Sequence, residues 1–463
     1  MDKKLPKNWE RVGFTEIFGI NGGTQPPKSQ FIHEPKEGYI RLLQIRDFGK
    51  KPVPTYIPNT GKLRTCEKDD ILIARYGASI GRIVTGEEGA YNVALAKVNI
   101  PEVMNKNFVK WLLKSHIFQN KIVSFQRTAQ SGFNKDDLSG IKVPLPPLAE
   151  QQRIVAKLDE LFGHLDTLKT RLNNIPQILK NFRQAVLTQA VTGKLTEEWR
   201  VGKELEEWEE TNLEHLVLFA GNGLSKRSGE GEDLTVLRLA DFKNGIRVFG
   251  NERKIQLTEK EQIKYTLNNN DLLIIRVNGS VDLAGLFILY NNEGNKEAFC
   301  DHFIRLTVDS ERIIPLYLTY ISNNGDGRLY LKNSLSTSAG QNTINQKSVK
   351  GLSINLPSVE EQTEIVKRVE HLFAKADAIE AQYQILKTKI DSLPQAILAK
   401  AFKGDLVEQL DTDGSAEVLL EEIQKLKEAS LRGAKQSVKN MSKNNTKEVL
   451  GRVAEGTTKY SKR

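Results

Sequence analysis

The chain has 463 residues, of which 39% are hydrophobic and 27% charged, with a formal net charge of +9 at pH 7. That length calls for more than one core, and the balance of apolar and charged residues is that of a soluble globular protein. No apolar run approaches the roughly 20 residues that span a bilayer; the opening MDKKLPKNWE is not a signal peptide, and two cysteines, Cys66 and Cys300, make no disulfide framework and fit the cytoplasm.

Residues 1–143 carry a net charge of +9 and read as a first α/β domain. Within them ILIA (71–74), β-branched and ending in a Gly-containing loop, predicts a buried strand. A helical stretch is expected over Lys106–Phe118.

Residues 144–212 form a helical repeat; counted over 144–214 the net charge is −3. LPPLAEQQRIVAKLDELF (145–162) aligns without a gap on LPSVEEQTEIVKRVEHLF (356–373), an offset of 211 residues, and 16 of the 53 positions from 145–197 and 356–408 are identical. Apolar residues recur in steps of four and three at Ile154, Leu158, Leu161, Leu165, Leu168 and Leu172. Such a stripe predicts a helix with one apolar seam that asks for a partner with the same seam. Pro146-Pro147 suits the helix start, and Gly193 its end.

Residues 213–355 predict a second α/β domain, fainter in likeness to the first and barely basic: the net charge over 215–355 is +2. TVLRLADF (235–242) parallels IRLLQIRDF (40–48), NDLLIIRVNGSVDLAGL (270–286) parallels DDILIARYGASIGRI (69–83), and a helix is expected over Ile314–Leu331. Residues 356–422, with net charge −7, repeat the helix with Ile365, Val369, Leu372, Ile379, Tyr383 and Leu386 in the seam and Gly404 near its end. Two equivalent stripes in one chain favour mutual pairing over packing of each on its own domain. A helix of about 25–30 residues is roughly 40 Å long, close to one turn of B-DNA at about 34–36 Å. The remainder, 423–463, has net charge +8 and few large apolar residues, and is expected to be disordered beyond a short helix through Leu419–Leu426.

Catalytic apparatus is not visible. There is no GxxxxGK[ST] phosphate loop, the six histidines show no metal-ligand spacing, and NGGTQPP (21–27) lacks the acidic or amide residue that would make it a methyltransferase pocket. Both cysteines read as small buried hydrophobes. No catalytic residue, metal or bound cofactor is expected in this chain.

The loops after the predicted strands are the candidate site. Arg75, Tyr76 and Ser79 in the first domain match Arg276, Asn278 and Ser280 in the second. A second pair of loops precedes the helices, with Arg127, Gln130 and Ser131 in one and Ser338, Gln341 and Asn342 in the other. Arg bonds bidentately to guanine, Asn and Gln to adenine, and Ser bonds phosphate. Arg46, Lys135, Arg238, Lys243 and Lys347 are flanking cations suited to phosphate. Taken together the loops favour contact with double-stranded DNA, although any one of them could be a polar turn chosen for geometry.

The two helix starts, their QA(V/I)L endings and the opening LPKNWE resemble the specificity subunits of Type I restriction–modification enzymes over residues 5–422. The resemblance implies two α/β (α+β) target-recognition domains in tandem duplication, separated by long antiparallel coiled-coil spacer helices about a pseudo-two-fold axis. It implies readout of a split, asymmetric DNA target by a non-catalytic subunit. Partners would be two methyltransferase (modification) subunits and motor-nuclease restriction subunits, which would hold S-adenosylmethionine, ATP and magnesium. The competing class is a protein-interaction scaffold with no DNA sequence specificity, to which the acidic helical segments would be suited.

Overall fold

The computed structural model describes residues 5–126, 132–243, 245–291, 294–430 and 432. The chain divides into two units, residues 1–170 with 386–463, and residues 171–385. Each unit therefore combines one globular part with pieces of both repeated helical segments.

In the first unit, strands Gly19–Gly22, Leu95–Asn99, Leu72–Ala74 and Ile83–Val84 form an antiparallel sheet in that order. Leu72, Ile73 and Ala74 are all buried, as the ILIA run requires. A second sheet joins Tyr56–Pro58, Tyr39–Leu43, Gly89–Tyr91 and Thr65–Cys66, and holds one parallel pair, 42–43 with 90–91. Strand Glu10–Gly13 pairs with Lys142–Leu145, immediately before the first long helix. The helix expected over Lys106–Phe118 is two helices, Lys106–Lys114 and His116–Gln126. The break is at Ser115, whose hydroxyl donates to the Leu112 carbonyl at 2.6 Å and offers the backbone an alternative to the helical ladder.

The second unit repeats the plan. Val217–Asn222, Phe303–Val308, Leu272–Ile275 and Phe287–Leu289 form the antiparallel sheet, and Lys254–Leu257, Glu232–Leu237 and Glu297–Phe299 the mixed one. Glu209–Asn212 pairs with Ser353–Leu356 as Glu10–Gly13 does with Lys142–Leu145. Here too the expected single helix over Ile314–Leu331 is two, Pro315–Asn323 and Gly325–Asn333, divided where Asn324 is extended and Gly325 takes a left-handed φ of +55°. Among the described strands one pair in each unit is parallel and the rest antiparallel, so both domains are α+β.

The repeated segments are helical in both copies but not alike. The first comprises Leu148–Asn173 and Ile175–Val191, with Pro176 in the first turn of the second piece, where its missing N–H costs little. The other is one helix of 43 residues, Val359–Ala401. Gly193 and Gly404 take left-handed φ of +75° and +77° just past the helix ends, as helix-terminating glycines do.

The seam is narrower than the sequence pattern suggests. Leu158, Leu165 and Leu172, spaced by seven, are buried, and so are Val369, Ala376, Tyr383 and Ile390. Ile154 and Ile365 are buried at the helix starts. The alternate positions are not: Leu161 and Leu372 are half-buried, and Leu168, Ile379 and Leu386 are 46%, 49% and 46% exposed. The two rows of a four-three stripe lie about 40–60° apart around an α-helix, so one row can be packed while the other lies on the flank.

Packing of helix against helix is visible within each unit. In the second, Arg183 bonds Asp377 at 2.5 Å and Glu380 at 3.0 Å, while twelve residues on Leu195 accepts from Arg368. The contacts descend along one helix as they ascend the other, so the segments are antiparallel there. In the first, Ile154 and Leu158 share a core with Leu398, Ala401 and Phe402. A helix over 416–430 adds Ala416, Leu419 and Ile423 to that core, so regular structure extends past Leu426. Among the described residues no helix is long and apolar enough to cross a membrane.

Candidate nucleic-acid interface

The AEQ and EEQ helix starts are explained by what their side chains hold. Glu150 Oε2 accepts from the indole of Trp9 at 2.8 Å, and Glu361 Oε2 from the indole of Trp208 at 3.0 Å. Gln151 and Gln362 each donate to a proline carbonyl, Pro146 and Pro357, at 2.9 Å. Their amide oxygens accept from Asn105 N at 3.2 Å and Ile314 N at 2.8 Å, backbone groups at the start of the domain helices. All four residues are buried. Burial pushes the Glu150 carboxyl above its ordinary value, against the Trp9 and Gln409 hydrogen bonds that favour its charge. Each domain is thus pinned to a helix start by buried polar bonds, which gives its loops a rigid base.

In the second unit, two loops 64 residues apart in sequence meet. Strand Val277–Asn278 pairs with Gln341–Thr343, which forms a hairpin with Ser336–Ser338. Ala339 and Gly340, at φ of +48° and +74°, make its tight turn. Asn342 is 4% exposed; its amide donates to the Asn278 and Gly279 carbonyls at 3.3 and 3.1 Å, and its oxygen accepts from Thr337 at 2.8 Å. All its hydrogen-bonding capacity facing the loop is used, which corrects the expectation that Asn342 contacts a base: it positions the loops. Asn278 is half-buried, and its side-chain oxygen accepts from Ser280 N at 2.9 Å. Ser280, Ser338 and Gln341 are exposed on this joined surface.

In the first unit Arg75 and Tyr76 lie against residues 132–133, which follow the second loop. Arg75 Nε donates to the Phe133 carbonyl at 3.0 Å, and its guanidinium lies 5.2 Å from the Tyr76 ring centroid. Gly132, at φ of +65°, sits so close that a Cβ there would come within 2.5 Å of the Tyr76 ring. Ser79 ends a short 3₁₀ turn and is half-buried. Arg127, Gln130 and Ser131 lie outside the described residues.

The flanking cations divide into engaged and exposed groups. Arg276 Nε donates to the Asp301 carbonyl at 2.6 Å, and Arg238 forms a two-pronged pair with buried Asp241 at 3.0 and 3.2 Å. Arg46 is exposed, with one bond to Thr55 at 3.2 Å. It is not the counterpart of Arg238: Asp47 and Asp241 cap their turns alike, which aligns Gln44 with Arg238. Lys135, Lys243 and Lys347 are exposed.

Two features escaped the sequence reading. One is a cavity of about 400 Å³ in the second unit, where Lys226, Arg227 and Arg253 join Arg238. Its walls come from four separate stretches of chain, and no spacing in the sequence announces them. The other is the pair of tryptophans, whose only signal was the recurrence of Trp-Glu at 9–10 and 208–209.

The duplicated α+β units, each with paired polar loops above a helix-anchored base, define a tandem-repeat protein of the recognition type. The family model for the Type I restriction modification DNA specificity domain matches twice, over residues 6–177 and 206–388. The chain is 43% identical to the Type I restriction enzyme StySPI specificity subunit of Salmonella potsdam, over 91% of this chain and 96% of that one. It is 32% identical to the EcoKI specificity subunit of Escherichia coli K12, over 92% and 97%. Among solved structures, the HsdS subunit from Thermoanaerobacter tengcongensis superposes with a TM-score of 0.61 at 20% identity, covering 87% of this chain and 99% of that one, a likeness of fold. The chain belongs to the Type I restriction–modification DNA specificity family.

Proposed function

We propose that this chain is the sequence-reading, non-catalytic subunit of a Type I restriction–modification complex in the cytoplasm. Each unit reads one half of a split, asymmetric target in double-stranded DNA, using the domains 1–143 and 213–355. The observation that carries this reading is the joining, in the second unit, of two polar loops distant in sequence, 277–280 and 336–343, with Ser280, Ser338 and Gln341 exposed on them. Ser280, Ser338 and Gln341 would face bases in one domain, and Tyr76 and Ser79 in the other, with Lys135, Lys243 and Lys347 on phosphate.

The segments 144–212 and 356–422 would pair as an antiparallel coiled-coil spacer about a pseudo-two-fold axis and fix the distance between half-sites. The exposed row of that stripe, including Leu168, Ile379 and Leu386, is apolar surface for two methyltransferase subunits. These bind S-adenosylmethionine, and the motor-nuclease subunits bind ATP and magnesium; this chain binds none of the three.

The test is to co-express the chain with the methyltransferase subunit of its own system in a host lacking other adenine methylation, and to map N6-methyladenine. Methylation at one split, asymmetric motif supports the reading and supplies the target. A soluble complex that methylates no motif supports the scaffold instead.

A further inference from the structure

Cys300, Asp301 and His302 follow the strand Glu297–Phe299 and turn the chain into Phe303–Val308. Their side chains do not diverge. Cys300 Sγ lies 3.7 Å from His302 Nδ1, and the same nitrogen lies 3.4 Å from Asp301 Oδ1. The three ligand atoms all fall within 4.8 Å of one another. Zinc in a tetrahedral site has bonds of about 2.3 Å to sulfur and about 2.0–2.1 Å to nitrogen and oxygen. Those lengths put sulfur about 3.5 Å from nitrogen and nitrogen about 3.4 Å from oxygen. The sulfur–nitrogen and nitrogen–oxygen separations are close to those two edges, and the third, sulfur to oxygen, is within 4.8 Å.

We propose that Cys300, Asp301 and His302 form a binding site for a zinc-class transition-metal ion, with water from the adjoining cavity as the fourth ligand. The donor set is one sulfur, one imidazole nitrogen and one carboxylate oxygen, which suits zinc or cobalt and not magnesium or calcium. The 400 Å³ cavity bounded by these residues leaves room on the open side. A thiolate and a carboxylate balance a divalent charge. Of the cations around the cavity, Arg238 is neutralised by Asp241 and Lys226 by Glu261. Arg276 approaches the far oxygen of Asp301, Oδ2, at 4.0 Å and leaves Oδ1 to the ligand cluster. Arg227 and Arg253 also line the cavity, and the positive charge of Arg253 near Cys300 favours the thiolate.

The site belongs to one unit only. Thr24 bridges to Asn92 as Leu224 bridges to Cys300, so the matching turn of the first unit reads Asn92-Val93-Ala94 and offers no such ligand set. The fold therefore does not need this triad. Its role follows from what the turn holds: the His302 carbonyl accepts from Arg276 N at 2.7 Å, and the Asp301 carbonyl from Arg276 Nε. A metal here clamps the turn that fixes Arg276 and the start of the 276–280 loop.

The experiment is a titration of the intact complex of this chain and its methyltransferase subunits with cobalt(II) chloride, read by thiolate-to-cobalt charge-transfer absorption. The difference between wild type and Cys300→Ser isolates this sulfur from every other thiol in the complex. One cobalt-thiolate band per chain is expected, absent from C300S, retained in Cys66→Ser, weakened at least tenfold in affinity by His302→Gln, and displaced by zinc but not magnesium. Superimposable spectra of wild type and C300S, or a band abolished by C66S, overturn the assignment. Should C300S fail to assemble, His302→Gln, at a half-exposed side chain, decides instead: an affinity equal to wild type overturns it.

Discussion

The indole of Trp9 donates to Glu150 across 141 residues of sequence, and Trp208 repeats the bond to Glu361 across 153. These two contacts close each globular domain onto the start of a long helix. They involve buried carboxylates, so loss of the donor leaves an acceptor unsatisfied in a dry environment.

Replacing Trp9 by Phe keeps most of the packing and removes the donor. A cost of about 1–3 kcal/mol is expected, seen as a lower melting temperature of the complex by differential scanning calorimetry. Trp208→Phe should lose a similar amount, since Glu361 retains the Thr196 hydroxyl at 2.7 Å as Glu150 retains Gln409 at 2.6 Å.

The Glu150 carboxyl, raised by burial, contributes to stability in a definite direction with pH. Its folded-state value lies above the ordinary 4.5, so the folded protein holds this proton more tightly than the unfolded chain. That contribution is complete below the ordinary value and is lost as pH rises through the folded one. Asp413, held below its ordinary 3.8 by Arg153 at 2.5 and 2.6 Å, acts oppositely and loses its contribution as pH falls. Glu150→Gln should therefore gain melting temperature relative to wild type as pH rises from about 4.5 towards neutrality, and parallel curves across that range would refute it. The deficit of Asp413→Asn should be constant above about pH 4 and shrink as pH falls further; a deficit that persists unchanged below about pH 3 would refute that.

Asn342 and Gln341 are adjacent in sequence and opposite in role. Asn342→Ala strips three partners and is expected to destabilise by about 1–3 kcal/mol, with weaker methylation at the half-site read by the second unit. Gln341→Ala, at an exposed position, should stay within about 0.5 kcal/mol of wild type in stability while changing affinity for that half-site. Calorimetry and DNA binding measured on the same preparations separate them; equal loss of stability in both would show that Asn342 is not the joint.

Lys347 is exposed, and the proposed reading assigns it to phosphate. Lys347→Ala should weaken binding alike for target and non-target duplexes, and reduce the slope of log affinity against log salt by about 0.9. Fluorescence anisotropy at several salt concentrations checks this, and a loss confined to the target sequence would place Lys347 on a base.

Four residues inserted within 163–175 lengthen a helix by about 6 Å. If the helices set the separation of half-sites, the methylated motif should gain spacer between its halves; an unchanged motif would remove the ruler.

The sequence made some of this legible and hid the rest for physical reasons. The repeat, the buried strands at ILIA and LLII and the helix starts are local patterns, and hydrophobic periodicity carries them directly. The exposure of Leu168, Ile379 and Leu386 was hidden because a four-three stripe marks both rows of a helix face and is silent on which row meets a neighbour. The breaks at Ser115 and Asn324 arise from single residues inside otherwise helical runs. Asn342 read as a base contact because its amide suits adenine; only the pairing of 277–278 with 341–343 reveals that the amide is already committed. The cavity beside Arg238 draws on four separate stretches of chain, a relation that no one-dimensional pattern contains.

The residues from Leu398 to Ile423 complete the core that holds Ile154, Leu158 and Phe108. On a ribosome this sets an order of events. Residues 171–385 can close their own core while synthesis continues, but the amino-terminal domain, although made first, leaves part of its core uncovered until residues 398–423 emerge. A nascent chain stalled or cleaved before residue 398 would present that surface to chaperones and proteases. The segment 398–423 thus ties completion of the first core to translation through both recognition domains.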